Sequence, residues 1–380
     1  MVDSLVFHIG DHKTGTTSLQ YTLAQKSWSC DSVPLCYPSS FNHNPLMDSL
    51  RQPAQYKSRP KRFSKLLKDM NQARGGVGVV SAEALENVPP AILRETLESH
   101  MPQYAATARV IAYVRPHAER IVSSWAEQVK LGLFTDSLED FHEHSRATGR
   151  FYYHQRFTAW RNIFGDRFTL RPMIRDQLYK DSVVQDFLRY ALQTDDFTVN
   201  EIQSNESMSL QDMALMKMLS AVFQDTQGHA KIQANIGRIM DRILSSLPPR
   251  ARNTKPKMTK SLIPEVIATY QQDAQKLDAD FFEGAPMWTA LQNAPQKAVE
   301  RSASIDPNAH FSPDEQRTIR ALAQLITELS ASDKAGLRQY LQEQVKDGFA
   351  SAGPKKRRKK QGKRRKKPNR FNEDDLLDLI

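Results

Sequence analysis

Hydrophobic positions along this chain fall into short continuous runs separated by segments with helical spacing. Leu5 to Ile9 is an apolar run of strand length, and from Ser18 onward Leu19 and Leu23 share one helical face. Val77-Gly78-Val79-Val80, Arg109 to Val114 and Phe168 to Arg171 are further strand runs. Pro89 and Pro90 open a helix to about His100, because proline suits a first helical turn. Pro116 marks the turn from the Arg109 run into a helix that starts at Ala118 and ends near Lys130 and Gly132. Buried strands alternating with helices predict an α/β fold, a parallel sheet flanked by helices.

Other segments have a different texture. Residues 28 to 62 are rich in Pro, Ser and Asn with little periodicity, and predict an irregular segment crossing the mouth of a site. Lys57 to Met70 is basic and amphipathic. From Leu210 the chain turns helical, with core stripes at Met213 to Met218 and Ile243 to Leu247, a basic loop at Arg250 to Lys260, and a helix over Ile263 to Phe282. Ser312-Pro313-Asp314-Glu315 carries a helix start: Ser as cap, Pro first and Glu third. The expected division is an α/β domain over 1–290 with helical elaboration from about 210, a helical extension over 291–352, and a tail over 353–380.

Composition changes this picture little. Hydrophobic residues at 39% and charged residues at 25% suit a soluble protein of 380 residues with a sizeable core. No apolar run reaches the length needed to cross a bilayer, and the opening strand lacks the layout of a secretory signal. Cys30 and Cys36 make neither a disulfide framework nor a zinc site, so the expected location is cytoplasmic.

Charge matters more. The chain carries +10, of which the tail holds +8: twelve Lys and Arg between Lys355 and Arg370, then four acids between Glu373 and Asp378. The body is therefore only +2. A tail of this composition cannot bury a core and is expected to be disordered. It can contact an anionic membrane, a polyanionic glycan or nucleic acid, which would make the protein peripheral at a membrane surface.

The chemistry centres on Gly10-Asp11-His12-Lys13-Thr14-Gly15-Thr16-Thr17-Ser18. A glycine-punctuated turn between strand and helix wraps backbone N–H groups around an anion, and the positive helix end points to the same place. In the nucleotide-hydrolase pattern Lys directly follows the second Gly; here Thr16 stands there and the lysine is Lys13. Glu83 follows the Val77 run and faces the crevice at the carboxyl ends of the strands. It can remove a proton from an acceptor, or complement the dipole of a short helix. His43 is a second titratable group near the mouth, either a base or a turn and packing residue. Arg115 ends the Arg109 strand, and Ser123 follows eight positions later; a guanidinium fork with a hydroxyl suits a phosphate monoester.

The string G-x-x-K-T-G-T-T resembles the 5′-phosphosulfate loop of sulfotransferases that use 3′-phosphoadenosine 5′-phosphosulfate (PAPS). Val114-Arg115-Pro116, Glu119-Arg120, Ser123, Lys130 and Gly132 resemble the 3′-phosphate motif of the same family. The likeness continues through Phe151-Tyr152-Tyr153, Trp160, Phe164-Gly165 and Asp186-Phe187-Leu188. Ser81 to Glu83 and Asn205 to Ser209 resemble elements of bacterial members. The resemblance implies a P-loop-type fold and sulfuryl transfer from PAPS without a metal. It implies donor contacts from His12, Lys13, Thr14, Gly15, Thr16, Thr17, Ser18, Arg115 and Ser123, with Glu83 first and His43 second as base. The acceptor is a hydroxyl or amine, for example on a glycan or lipid-linked sugar. A P-loop kinase or nucleotide hydrolase, and a polyanion- or nucleic-acid-binding protein acting through the tail, stand as alternatives.

Overall fold

The computed structural model describes residues 1–11, 13–200, 208–223, 229–248, 253–301 and 304–332. His12, Asn205 to Ser207 and the whole tail over 353–380 lie outside the described residues. The strands are β1 Ser4–Ile9, β2 Trp28–Ser29, β3 Leu35–Cys36, β4 Val77–Ala82, β5 Arg109–Val114, β6 Phe168–Pro172 and β7 Thr198–Val199. The helices before the second half of the chain are α1 Thr16–Gln25, α2 Asn44–Arg51, α3 Arg59–Asn71, α4 Pro90–His100, α5 Pro102–Ala105, α6 His117–Leu131, α7 Leu138–Ala147, α8 His154–Phe164 and α9 Val183–Leu192. They are followed by α10 Leu210–Phe223, α11 His229–Ser246, α12 Ile263–Phe281, α13 Pro286–Gln292, α14 Ala294–Lys297 and α15 Pro313–Ser332.

The fold is α/β. Five strands pair in parallel in the order β3-β4-β1-β5-β6, while β2 and β7 pair antiparallel in a small separate ribbon. Register is set by burial: Ser4 pairs with Val77 and His8 with Ser81, so β1 and β4 end together at Ile9 and Ala82. One face of the sheet presents Val6, Val77, Val79, Ile111 and Tyr113 to Leu19 and Leu23 of α1 and to Val184, Phe187 and Leu188 of α9. The alternate positions Leu5, Phe7, Val80, Val110 and Ala112 are equally buried. Both faces are covered, which is why these strands read as unbroken apolar runs. β1 has β4 on one side and β5 on the other, so successive crossovers leave β1 in opposite directions and a crevice opens beyond its carboxyl end.

The described chain divides into two compact units that alternate along the sequence. One holds Met1–Ser124, His142–Ser204 and Met258–Arg301; the other holds the described residues of Trp125–Phe141, Asn205–Lys257 and Ser302–Ile380. The sheet belongs to the first unit. Within it Asp273 of α12 accepts the backbone N–H groups of Tyr153 and His154 at 2.9 and 3.0 Å and pairs with the His117 ring at 3.0 Å, fixing the start of α8. In the second unit Ala214 and Met218 of α10 pack with Phe311, Leu215 and Ile319. There the Ser312 N–H donates to Glu315 Oε2 at 2.7 Å and the Glu315 N–H to Ser312 Oγ at 3.3 Å, the reciprocal cap expected for α15.

The segment over 28–62 is more regular than its composition suggests. It holds β2, β3 and α2, and α2 begins at Asn44-Pro45 and buries Leu46, Met47 and Leu50. Proline in the first turn and an apolar i, i+1, i+4 set specify that helix, short as it is. Among the described residues no helix is long and apolar enough to cross a membrane.

Candidate functional site

Beyond Ile9 the backbone leaves the sheet with one last ladder bond, the Gly10 N–H donating to the Ala82 carbonyl at 3.0 Å. The loop then closes on itself. Thr14 Oγ1 donates to the Asp11 carbonyl at 2.6 Å, and Thr16 Oγ1 lies 3.4 Å from Thr14 Oγ1. Thr14 and Thr16 are buried, so their hydroxyls shape the loop, whereas Lys13 and Ser18 are half-buried and Thr17 is exposed. Lys13 takes φ 66° and Gly15 φ 77°, two left-handed residues that turn the chain sharply before α1. Gly15 has a second reason to be glycine: a Cβ there would lie 2.7 Å from Val183 Cγ1.

The amino end of α1 has no side-chain cap and no acidic residue in its first turn. Its first N–H groups therefore meet no acceptor within the helix, and the helix dipole adds positive potential at the same spot. An anion is the natural partner of such an end.

Glu83 begins the 3₁₀ turn Glu83–Asn87 that follows β4. It stands against the loop, because a Cβ on Gly10 would lie 3.1 Å from both Glu83 Cα and Cγ. The turn is pinned from α2: Asn44 Oδ1 accepts the Ala84 N–H at 3.1 Å.

His43 is built into the same support rather than into the crevice. Its backbone N–H donates to the Ser81 carbonyl at 2.9 Å, and its Nδ1 accepts the Ser81 N–H at 3.2 Å. The ring is buried and meets Tyr37 edge-on at 4.9 Å between centroids. Burial, reinforced by the charge of Lys65, lowers its pKa to about 4. With Nδ1 engaged by a backbone donor and the proton on Nε2, the neutral ring in this arrangement has no lone pair free for a substrate proton. His8 lies beneath, Nδ1 2.9 Å from Ser81 Oγ, and burial lowers its pKa to about 3. Gln20 Nε2 donates to the same hydroxyl at 3.1 Å.

Arg115 follows β5 at the same carboxyl edge. Its Nε is buried without a hydrogen-bond partner, and the nearest carboxylate, Glu119 at 3.9 Å, is shared with Lys297 at 2.8 Å. Burial lowers its pKa. Ser123 is half-buried on α6, while the neighbouring Ser124 is the buried hydroxyl, with an Oγ that finds no partner.

Sequence reasoning missed the most strongly charged part of this edge. Asp11, fully buried inside the loop, is held by Arg120 Nη2 and Arg156 Nη2, each at 3.0 Å. Glu86 Oε1 lies 2.8 Å from Arg156 Nη1 and 3.6 Å from Arg120 Nη2. Arg120 is itself buried, and its Nε and Nη1 have no acceptor. Arg150 stacks over Phe151 at 5.7 Å; burial, then the charge of Arg120, lowers its pKa. The signal available in the sequence was Asp11: an acid within an anion-binding turn requires cations beside it, and buried carboxylates are paired. Nothing in the sequence said which arginines these would be.

Lys13, the amino end of α1, Glu83, Arg115 and the arginine cluster thus meet at the carboxyl edge of β1, β4 and β5. Among the described residues no three His, Cys, Asp or Glu side chains converge to hold a metal ion. In comparisons with known proteins, no family model, no curated protein and no solved structure matches this chain.

Proposed function

We propose that this chain is a sulfotransferase with a P-loop-type phosphate site, moving a sulfuryl group from PAPS to an acceptor hydroxyl or amine. The observation that carries the reading is the meeting, at one sheet edge, of an uncapped helix end, a loop lysine, a carboxylate and unpartnered arginine donors. The residues present suit a nucleotide with two phosphate groups. Gly10 and Gly15 let Thr16, Glu83 and Val183 pack against the loop where a Cβ would collide, and Arg115 and Arg120 hold buried N–H groups that lack an acceptor.

Charge supports the same reading. Arg115, Arg120, Arg150, Arg156 and Lys297 set five cations against Asp11, Glu86 and Glu119, leaving two positive charges in excess. A phosphate monoester carries about −1.5 to −2 at neutral pH.

When bound, PAPS supplies an activated sulfuryl group on a phosphate leaving group. Lys13 and the backbone N–H groups of Thr14 to Thr17 hold that phosphate and stabilise the charge that develops on it. Arg115, with Ser123 or the better-buried Ser124, holds the 3′-phosphate, and Arg150 adds a cation there. Glu83 takes the proton of the acceptor nucleophile, a step worth about 10²- to 10⁴-fold in rate. The acceptor supplies a hydroxyl or amine, for example on a glycan or lipid-linked sugar, and the charge of the basic tail suits an anionic acceptor or surface.

Thermal unfolding tests this directly. 3′-Phosphoadenosine 5′-phosphate without metal is compared with ATP and GTP in the presence of Mg²⁺. A ligand at about 100 times its Kd adds roughly 2.7 kcal/mol of stability. The reading requires a shift with the bisphosphate that is lost in Arg115→Ala. A Mg²⁺-dependent shift with ATP or GTP alone would replace it with phosphoryl transfer.

A further inference from the structure

Two carboxylates on different segments are tied by the same pair of arginines. Asp11 lies two residues before Lys13 in the loop, and Glu86 lies three residues after Glu83 in the same 3₁₀ turn. Arg120 of α6 and Arg156 of α8 each reach both acids, at 3.0 and 3.6 Å and at 3.0 and 2.8 Å. Burial raises the pKa of Asp11, the charges of Arg120 and Arg156 oppose that rise, and the neighbouring Glu86 adds to it. The guanidiniums hold together two like charges that would otherwise push the loop and the turn apart.

We propose that Asp11, Glu86, Arg120 and Arg156 form a positioning brace that keeps the loop of Lys13 and the turn of Glu83 in register. The inference rests on the assignment of Lys13 to the donor and Glu83 to the acceptor proton. Stability alone does not account for such a cluster, because a buried ion-pair set is seldom more stabilising than apolar residues of the same volume. Its distinctive property is direction: the planar guanidinium of Arg156 gives Nη2 to Asp11 and Nη1 to Glu86 and so fixes the angle between them, while Arg120 reaches both acids through Nη2. Two segments that must present a cation and a base to one reaction need that angle fixed. A misplacement of about 1 Å can cost on the order of 10²-fold in rate.

The brace makes the two segments respond together. In the full chain, hydrogen–deuterium exchange is measured over residues 10–18 and 83–88 in Asp11→Asn and Glu86→Gln. Each substitution is expected to speed exchange in both segments; faster exchange confined to the altered segment overturns the brace. In turnover, each single variant should lose roughly 10- to 100-fold in kcat with donor KM changed less than about threefold. The double variant should lose no more than the worse single, since the four groups act as one unit. Losses that multiply overturn the proposal. Arg156→Lys keeps the charge but not the fork, and at 22% side-chain exposure it is the variant that carries the test if Glu86→Gln does not fold. Absence of any bisphosphate shift in the unaltered protein would count against the transferase reading, whereas the exchange experiment decides the brace independently of it.

Discussion

Gly10 and Glu83 touch: a Cβ on Gly10 would sit 3.1 Å from Glu83 Cα and 3.1 Å from its Cγ, and 2.7 Å from Thr16 Cγ2. The smallest residue of the loop is thus what allows the carboxylate turn to approach the amino end of α1. Gly10→Ala is expected to push the Glu83 turn outward. Overpacking of this kind costs about 1–3 kcal/mol, so the melting temperature should fall along with turnover. Unchanged melting and unchanged turnover in Gly10→Ala would mean that the two segments are not in contact.

Lys13 and Glu83 are expected to fail differently. Lys13→Ala removes a cation aimed at developing charge, and a loss of about 10²- to 10³-fold or more in kcat is expected. Glu83→Gln removes a base but no donor contact, so turnover should fall by about 10²- to 10⁴-fold while bisphosphate affinity holds. Measuring kcat and the bisphosphate Kd on both variants separates the two roles. Undiminished turnover in Glu83→Gln would remove Glu83 from the base role.

Arg150 has no carboxylate within ion-pair distance among the described residues, although Arg120, Glu86 and Asp11 act on it electrostatically. A cation without an ion-pair partner beside the proposed phosphate site is expected to contribute to binding. Arg150→Ala should weaken 3′-phosphoadenosine 5′-phosphate about tenfold, the worth of one charge-assisted hydrogen bond. Adenosine 5′-phosphate, which lacks the 3′ group, should be unaffected. Isothermal titration of both nucleotides makes the comparison; an equal loss for both would move Arg150 away from the 3′-phosphate.

The framework of this fold was legible because strands buried on two faces leave continuous apolar runs, as at Leu5 to Ile9 and Arg109 to Val114. The loop was legible because backbone geometry singles out Gly15, with its positive φ and the side chain of Val183 against it. The brace was not. Arg120 and Arg156 are 36 residues apart on two helices, and only the packing of α6 and α8 brings both to Asp11. For His43 the titratable ring was visible in the sequence, whereas the backbone N–H of Ser81 that engages it was not. Residue type announces chemistry, but the partner that uses up a lone pair belongs to tertiary structure.

The engaged ring of His43 also sets a pH dependence. Its pKa in the folded protein is lowered to about 4 by burial, with the Lys65 charge adding to the effect, against an ordinary value of 6.5. Between pH 6.5 and 4 the unfolded chain therefore carries a proton on this ring that the native protein does not. Acid pulls the equilibrium toward the unfolded state across that window. The stability concerned is complete above about pH 6.5 and is lost progressively as pH falls, reaching about 3 kcal/mol at pH 4. His8, lowered to about 3 by burial alone, acts in the same direction and over a wider range. Urea unfolding at pH 7, 6, 5 and 4 measures the slope. His43→Gln offers a carbonyl oxygen to the Ser81 N–H and removes the titrating ring. It should flatten the slope by about one proton between pH 6 and 4, and on the proposed reading kcat at pH 7 should remain within about threefold of the unaltered protein, since Glu83 and not this ring takes the acceptor proton. An unchanged slope would mean that the ring is not held neutral in the fold; a loss of 10²-fold or more in kcat with donor affinity intact would return His43 to the base role.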